Sequence, residues 1–381
     1  MVKLINILSI KSMVNKNFVT IDGKCFHYMW LRDNCLCPEC RDSNSFQKIY
    51  DISEAQSPPE PLSIVENNDK LTITWKEEPI HQSEFSISWL MAHANELEIP
   101  LESSRKITLW NKAELRKEGI LRHDLHNCDS DMWMNQLFNL GFTILENIKS
   151  TKELESFLYS IGPIHETYYG KLIAVKPIKG NEAVDLAFSS VGHPLLPHVD
   201  LTYLNVGRVV MFLYCEENNV SGGESIVVDG YRVARDFRQN HPEYFNILAE
   251  TPVHFKQFDS LRQYYLSNKT PILKLNQKGE VSEVYFSHKN FKPNLIFDKV
   301  ESFYEAYKTF FKYLKSPDYQ YCFRLKPGDC LMVQNFRILH GRKAYDTNYG
   351  FRHLEGGFLD WEYFKARQNF RDFKKSHLKN I

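Results

Sequence analysis

The side chains in this chain best placed for redox chemistry are His198, Asp200 and His340. They stand in P-H-V-D-L-T-Y (Pro197–Tyr203) and N-F-R-I-L-H-G-R (Asn335–Arg342). Two imidazoles and one carboxylate are the ligand set of a facial triad, which holds Fe(II) from one side and leaves three positions open. Side chains alternate along a strand, so His198 and Asp200 are expected to point the same way, with His340 arriving from a second strand. The His-x-Asp triplet alone has low specificity. A co-substrate with two carboxylates needs a cation near the metal, and the planar fork of arginine suits it. Arg352, twelve residues after His340, is one candidate, with Arg337 and Arg342 as competitors.

A second cluster is C-L-C-P-E-C, with Cys35, Cys37 and Cys40. Such short loops oppose disulfides among the three but let the thiolates converge on one tetrahedral zinc. His81, near the end of an expected hairpin, is the chosen fourth ligand, and His27 and His93 are rivals. The bland alternative is three free thiols in a core. The other five cysteines are scattered, which predicts a reducing, cytoplasmic compartment rather than a disulfide scaffold.

The elements that must position these residues follow from patterning. Phe18–Ile21 and Phe26–Trp30 alternate around Asp22-Gly23, and Leu62–Val65 and Leu71–Trp75 flank Asn67–Lys70, so two hairpins are expected. A helix is expected from near Ser83. Residues 101–128 show no clear period and read as a connecting segment. Helix, strand, helix follow at 131–140, 142–145 and 151–161, with Gly141 as a cap. Short strands then dominate, at 209–214, 225–228, 284–286, 321–325 and 330–334, with helices at 231–239, 241–250 and 300–314. The expected class is α+β, mostly β: a double-stranded β-helix (jelly roll) with helical insertions, preceded by a small β-rich zinc-binding domain. The expected division is 1–100, 101–128 and 129–381.

Composition excludes little but directs the search. The 381 residues carry 47 Lys+Arg against 47 Asp+Glu, so nothing global favours nucleic acid or an anionic membrane. No apolar run is long enough to span a bilayer, and no GxGxxG or P-loop pattern occurs.

Several blocks, in order, resemble the γ-butyrobetaine dioxygenase and trimethyllysine dioxygenase family of taurine dioxygenase-like Fe(II)/2-oxoglutarate oxygenases. W-L-R-D-N-C-x-C-x-x-C (Trp30–Cys40) and H-x-S-E-F (His81–Phe85) resemble its N-terminal zinc module. Y-Y-G (Tyr168–Gly170), L-A-F (Leu186–Phe188), H-V-D, S-G-G-E-S (Ser221–Ser225), V-D-G-Y (Val228–Tyr231), N-F-R-I-L-H-G-R and R-H-L-E-G (Arg352–Gly356) resemble its oxygenase core. The resemblance covers nearly the whole chain. It implies His198, Asp200 and His340 as iron ligands and Arg352 as the clamp on the distal carboxylate of 2-oxoglutarate, with the Ser225 hydroxyl near that carboxylate. It also implies Cys35, Cys37, Cys40 and His81 as structural zinc ligands, a homodimer, and a small-molecule substrate hydroxylated with O₂.

At the substrate positions the chain departs from the family. The resemblance puts Tyr169, Ile173, Phe188 and Phe358 at the aromatic cage for a trimethylammonium group, where Ile173 replaces Trp, and Phe188 and Phe358 replace Tyr. Asp185 falls where the family has Asn, and Tyr203 lies beside the site. The leading expectation is hydroxylation of γ-butyrobetaine to carnitine, with trimethyllysine or another amino-acid-like amine as alternatives. A different-class alternative is a catalytically silent scaffold whose zinc module binds a protein partner. A zinc hydrolase lacks a placed general base such as the Glu of H-E-x-x-H.

Overall fold

The computed structural model describes residues 15–55, 57–67, 69–94, 107–118, 122–176, 193–260, 262–346 and 350–377. Two compact units are present, Met1–Ser104 and Arg105–Ile381.

In the smaller unit, Phe18–Ile21 pairs with Lys24–His27 across the Asp22-Gly23 turn, where both residues take positive φ. A three-stranded antiparallel sheet follows from Pro61–Glu66, Lys70–Trp75 and His81–Ser86. Alternate residues Leu71, Ile73 and Trp75 face a core shared with Phe26, Leu31 and Phe85. The helix expected from near Ser83 begins at Ile87 instead. Ser83 is buried on the strand, where its hydroxyl accepts from Trp75 Nε1, and Ser86 caps the helix by accepting from Trp89 N. His81 is therefore a strand residue, paired with Trp75.

The larger unit rests on a seven-stranded and a four-stranded sheet. In the larger sheet, the strand Val209–Asn218 lies between Cys330–Gln334 and Arg352–Asp360. Its near-continuous apolar run, V-V-M-F-L-Y-C, reflects burial on both faces. Val209 and Met211 enter one core, while Val210, Phe212 and Tyr214 enter a second core beneath the helices Ser130–Leu140 and Thr151–Ile161. The smaller sheet runs Leu195–His198, Ile338–Arg342, Ser225–Asp229, Tyr321–Phe323. Its Ile226, Val228 and Leu339 share the first core with Met211, Val333 and Phe358 of the larger sheet. Two sheets closing on one apolar core are consistent with the jelly roll.

Other expected boundaries shift. Tyr28–Trp30, expected as the end of the first hairpin, open the helix Tyr28–Asp33 instead. The strand placed at 284–286 runs Val281–Val284, and Phe286 lies past its end. Residues 107–118 and 122–124 are not a bare connector. Lys112–Glu118 is a helix, Arg122–Asp124 pairs in parallel with Phe142–Glu146, and Trp110 is fully buried. Trp110 N–H donates to Asp229 and its indole donates to the Leu140 carbonyl, so this segment belongs to the larger unit's core.

Candidate active site and metal centres

His198 ends one strand and His340 sits in the middle of its antiparallel neighbour, directly opposite in register. Their rings lie 4.4 Å apart. Gly341 permits this closeness, because a Cβ there would meet the Leu195 carbonyl oxygen at 2.5 Å. Asp200 is not on the strand as expected. It follows two residues past His198, ahead of Leu201 at φ +58°. Asn335 holds it there: Asp200 N–H donates to the Asn335 carboxamide oxygen (2.9 Å), and the carboxamide nitrogen donates back to the Asp200 carbonyl (3.0 Å). Val199 N–H donates to the Phe286 carbonyl.

The Asp200 carboxylate oxygens end 3.3 Å from His198 Nε2 and 3.4 Å from His340 Nε2. His198 Nδ1 lies 2.9 Å from the Leu196 carbonyl, which can only accept. Nδ1 therefore carries the proton and Nε2 offers its lone pair inward. Burial, then the nearby Lys289 and His340 charges, push His198 down to about 3, so the ring is neutral at pH 7. Burial alone would raise the Asp200 carboxyl, but His340 and His198 hold it well below the usual carboxylate range. Lone pairs and a negative charge facing one point suit a cation. Lys289 supplies part of this, its Nζ donating to His198 Nε2 at 3.4 Å.

The site opens into a cavity of about 610 Å³, whose lining includes Tyr169, Ile173, Asp200, Tyr203, Lys289 and Phe358. Four expected substrate residues thus meet Asp200 in one space. The other two, Asp185 and Phe188, lie outside the described residues. Tyr169 packs at a tilt against Tyr168, whose hydroxyl lies 3.3 Å from that of Tyr203, and the Arg262 guanidinium lies over the Tyr169 ring.

The three candidate arginines separate by role. Arg337 is fully buried and forms a two-pronged ion pair with Asp229, while its other donors reach the Asn139 and Thr108 carbonyls. Arg342 donates to the His193 carbonyl and lies over Tyr345. Arg352 is 4% exposed, stands on the other sheet from His340, and its Nε has no hydrogen-bond partner. Burial, then Arg342, lower its pKa to about 10. A buried guanidinium without an anion is costly and is what an anionic ligand would relieve. Ser225 is buried and pairs in register with Arg342, not Arg352.

In the smaller unit, His81 Nε2 lies 3.3, 3.6 and 3.5 Å from the Cys35, Cys37 and Cys40 sulfurs. These four donor atoms lie within 4.8 Å of one another and are the ligand types of a structural zinc site. The rivals have other partners: His27 accepts from Met29 N at a helix start, and His93 Nδ1 meets the Trp89 carbonyl. Arg32 donates to the Cys40 sulfur and pairs with Glu77.

The taurine catabolism dioxygenase TauD, TfdA family model matches residues 104–358. This chain belongs to that family. Its smaller unit matches a second model, gamma-butyrobetaine hydroxylase-like N-terminal, over 16–91. The gamma-butyrobetaine dioxygenase of Homo sapiens is 29% identical over 357 residues, covering 89% of each chain. The mitochondrial trimethyllysine dioxygenase of Bos taurus is 26% identical over 347 residues, covering 88% of this chain and 80% of that one. Among solved structures, PvcB from Pseudomonas aeruginosa aligns with a TM-score of 0.48 at 15% identity, over 63% of this chain and 83% of that one.

Reading the sequence missed three contributors to this dioxygenase's site. Asn335 lay inside a quoted block with no role assigned. Lys289 and Lys256 carried no signal, because a lysine in a loop or on a strand with polar neighbours looks like any solvated one.

Proposed function

We propose that this dioxygenase uses Fe(II) and 2-oxoglutarate to hydroxylate an aliphatic carbon of a small zwitterionic amine, with γ-butyrobetaine the leading substrate. The observation that carries the reading is the meeting of His198, Asp200 and His340, with Asp200 in the lining of a cavity walled by Tyr169, Tyr203 and Phe358. His198 and His340 would hold iron through Nε2 and Asp200 through a carboxylate oxygen. When bound, iron supplies the coupling of O₂ to both substrates: one oxygen atom enters succinate as 2-oxoglutarate loses CO₂, and the other enters the C–H bond as a hydroxyl group. The chain's own part is positioning and exclusion of water. Leu196 fixes the His198 tautomer, Asn335 aims Asp200, and Gly341 lets the histidine strands approach. Arg352 would receive the distal carboxylate of 2-oxoglutarate. Cys35, Cys37, Cys40 and His81 would hold a structural zinc, with Glu39 3.6 Å from His81 Nδ1 to orient the ring.

Tyrosine and phenylalanine faces attract a quaternary ammonium. Ile173 contributes no ring, and Arg262 occupies one side of Tyr169, so the aromatic wall is thinner than a full cage. Trimethyllysine and other amino-acid-like amines are therefore included in the test. Succinate release is measured with Fe(II) and 2-oxoglutarate against γ-butyrobetaine, trimethyllysine and related amines. Stimulation by γ-butyrobetaine above the substrate-free rate is the expected result. Stimulation by another amine alone reassigns the substrate. Absence of any 2-oxoglutarate turnover refutes the reading and leaves the silent scaffold.

A further inference from the structure

We propose that Lys289 anchors the carboxylate of the substrate, so that the anionic end lies beside the metal centre and the cationic end points away along the aromatic wall. The inference rests on the zwitterionic-substrate reading above and deepens it.

Lys289 follows the strand Val281–Val284 in a loop fixed on both sides. The Phe286 carbonyl accepts from Val199 N–H, next to His198. Asn290 accepts from Ser287 and donates to the Gln257 carboxamide oxygen (2.6 Å) and the Lys256 carbonyl. The lysine's backbone is therefore preset, and its ammonium reaches the cavity without rearrangement of the loop. The side chain keeps accessible surface while standing among cavity-lining residues, as expected of a group at the wall of an open cavity.

Its partner is provisional. Among the described residues, the one hydrogen bond of Lys289 Nζ goes to His198 Nε2. That lone pair is the one assigned to iron, so loading the metal takes away the lysine's acceptor. Asp200, the one carboxylate in the cavity's described lining, is committed to the same metal. An ammonium displaced from both needs an anion, and the cavity is where one can arrive.

The charge balance of the cavity agrees. Its described lining carries Lys256, Lys289 and Lys292 against the single carboxylate of Asp200. A positive wall draws a carboxylate in and opposes a quaternary ammonium at the same end. The distal carboxylate of 2-oxoglutarate has a separate candidate partner in Arg352, which is not among this cavity's lining residues. The ring faces of Tyr169 and Phe358 remain for the cationic end.

The test uses the full-length protein loaded anaerobically with Fe(II) and 2-oxoglutarate. Calorimetry measures binding of γ-butyrobetaine, its primary amide, and plain butanoate, to wild type and to Lys289→Met and Lys289→Arg. Wild type is expected to bind the carboxylates at least about tenfold more tightly than the amide. Lys289→Met is expected to lose that discrimination, Lys289→Arg to retain most of it, and the 2-oxoglutarate affinity to stay unchanged. Thermal melting before titration verifies that each variant is folded, and Lys289→Arg serves as the rescue. Full discrimination in Lys289→Met overturns the proposal. So does equal binding of acid and amide by wild type, or a loss confined to 2-oxoglutarate. Lys289-dependent binding of butanoate without binding of γ-butyrobetaine keeps the anchor and removes the betaine reading. Turnover of γ-butyrobetaine with unaltered discrimination in Lys289→Met does the reverse.

Discussion

At the residue scale, His198 and Arg352 both trade stability for readiness. His198 sits near 3 when folded and near 6.5 when exposed. Above about pH 6.5 neither state binds the proton, and nothing is lost. Below it the unfolded chain takes a proton that the folded chain refuses, so stability falls as pH drops from about 6.5 towards about 3. Metal-free protein should therefore unfold at lower urea near pH 5 than near pH 7.5. His198→Gln should flatten that difference, and an unchanged pH dependence contradicts the buried neutral imidazole. Arg352 holds a charge away from water with no anion beside it in the described structure. A buried charge without a partner is costly, so replacing it with an apolar side chain of similar length removes a destabilising group. Arg352→Met should therefore melt no lower than wild type, while its KM for 2-oxoglutarate rises at least about tenfold. A lower melting temperature with an unchanged KM would make Arg352 a structural residue.

At the scale of elements, the centre depends on two strands approaching within the reach of two imidazoles. Gly341→Ala puts a methyl 2.5 Å from the Leu195 carbonyl, so one strand must shift. The expected outcome is a folded protein with iron affinity lowered at least about tenfold, read by metal titration. Unaltered affinity would mean the strands yield without moving the histidines. Arg337 plays a different part, tying Asp229 to the carbonyls of Thr108 and Asn139. Removing one partner of a buried pair costs about 3–5 kcal/mol. Arg337→Met should show that loss in urea unfolding, with an unchanged KM for 2-oxoglutarate in the folded fraction. These contacts also explain which parts of the fold could be read from the sequence. Helix and strand existence followed from periodicity, as at Thr151–Ile161 and Cys330–Gln334. The segments at 107–118 and 122–124 did not, because Trp110 and the parallel pairing of Arg122–Asp124 are anchored by tertiary partners far along the chain. Ser83 was misread as a helix start because its hydroxyl serves the Trp75 indole rather than a cap.

At the scale of the molecule, the candidate site was legible where chemistry demands particular residue types. His198, Asp200 and His340 converge, and so do Cys35, Cys37, Cys40 and His81. The convergence of Asp200 was expected from strand alternation, yet it arises from a bend held by Asn335. The cationic wall was not legible, because Lys256, Lys289 and Lys292 acquire meaning only when the sheets and loops close around one cavity. The account predicts two metals of different character. Purified protein should hold about one zinc equivalent that survives mild chelation, and Cys40→Ser should lose it. Iron should be labile and independent of that change. The most direct measurement of the central claim is succinate release by His198→Ala and Asp200→Ala beside wild type, with zinc content measured on the same samples. The account predicts Fe(II)-dependent release by wild type, none above background by either variant, and unchanged zinc in all three. Release by both variants at the wild-type rate would contradict it.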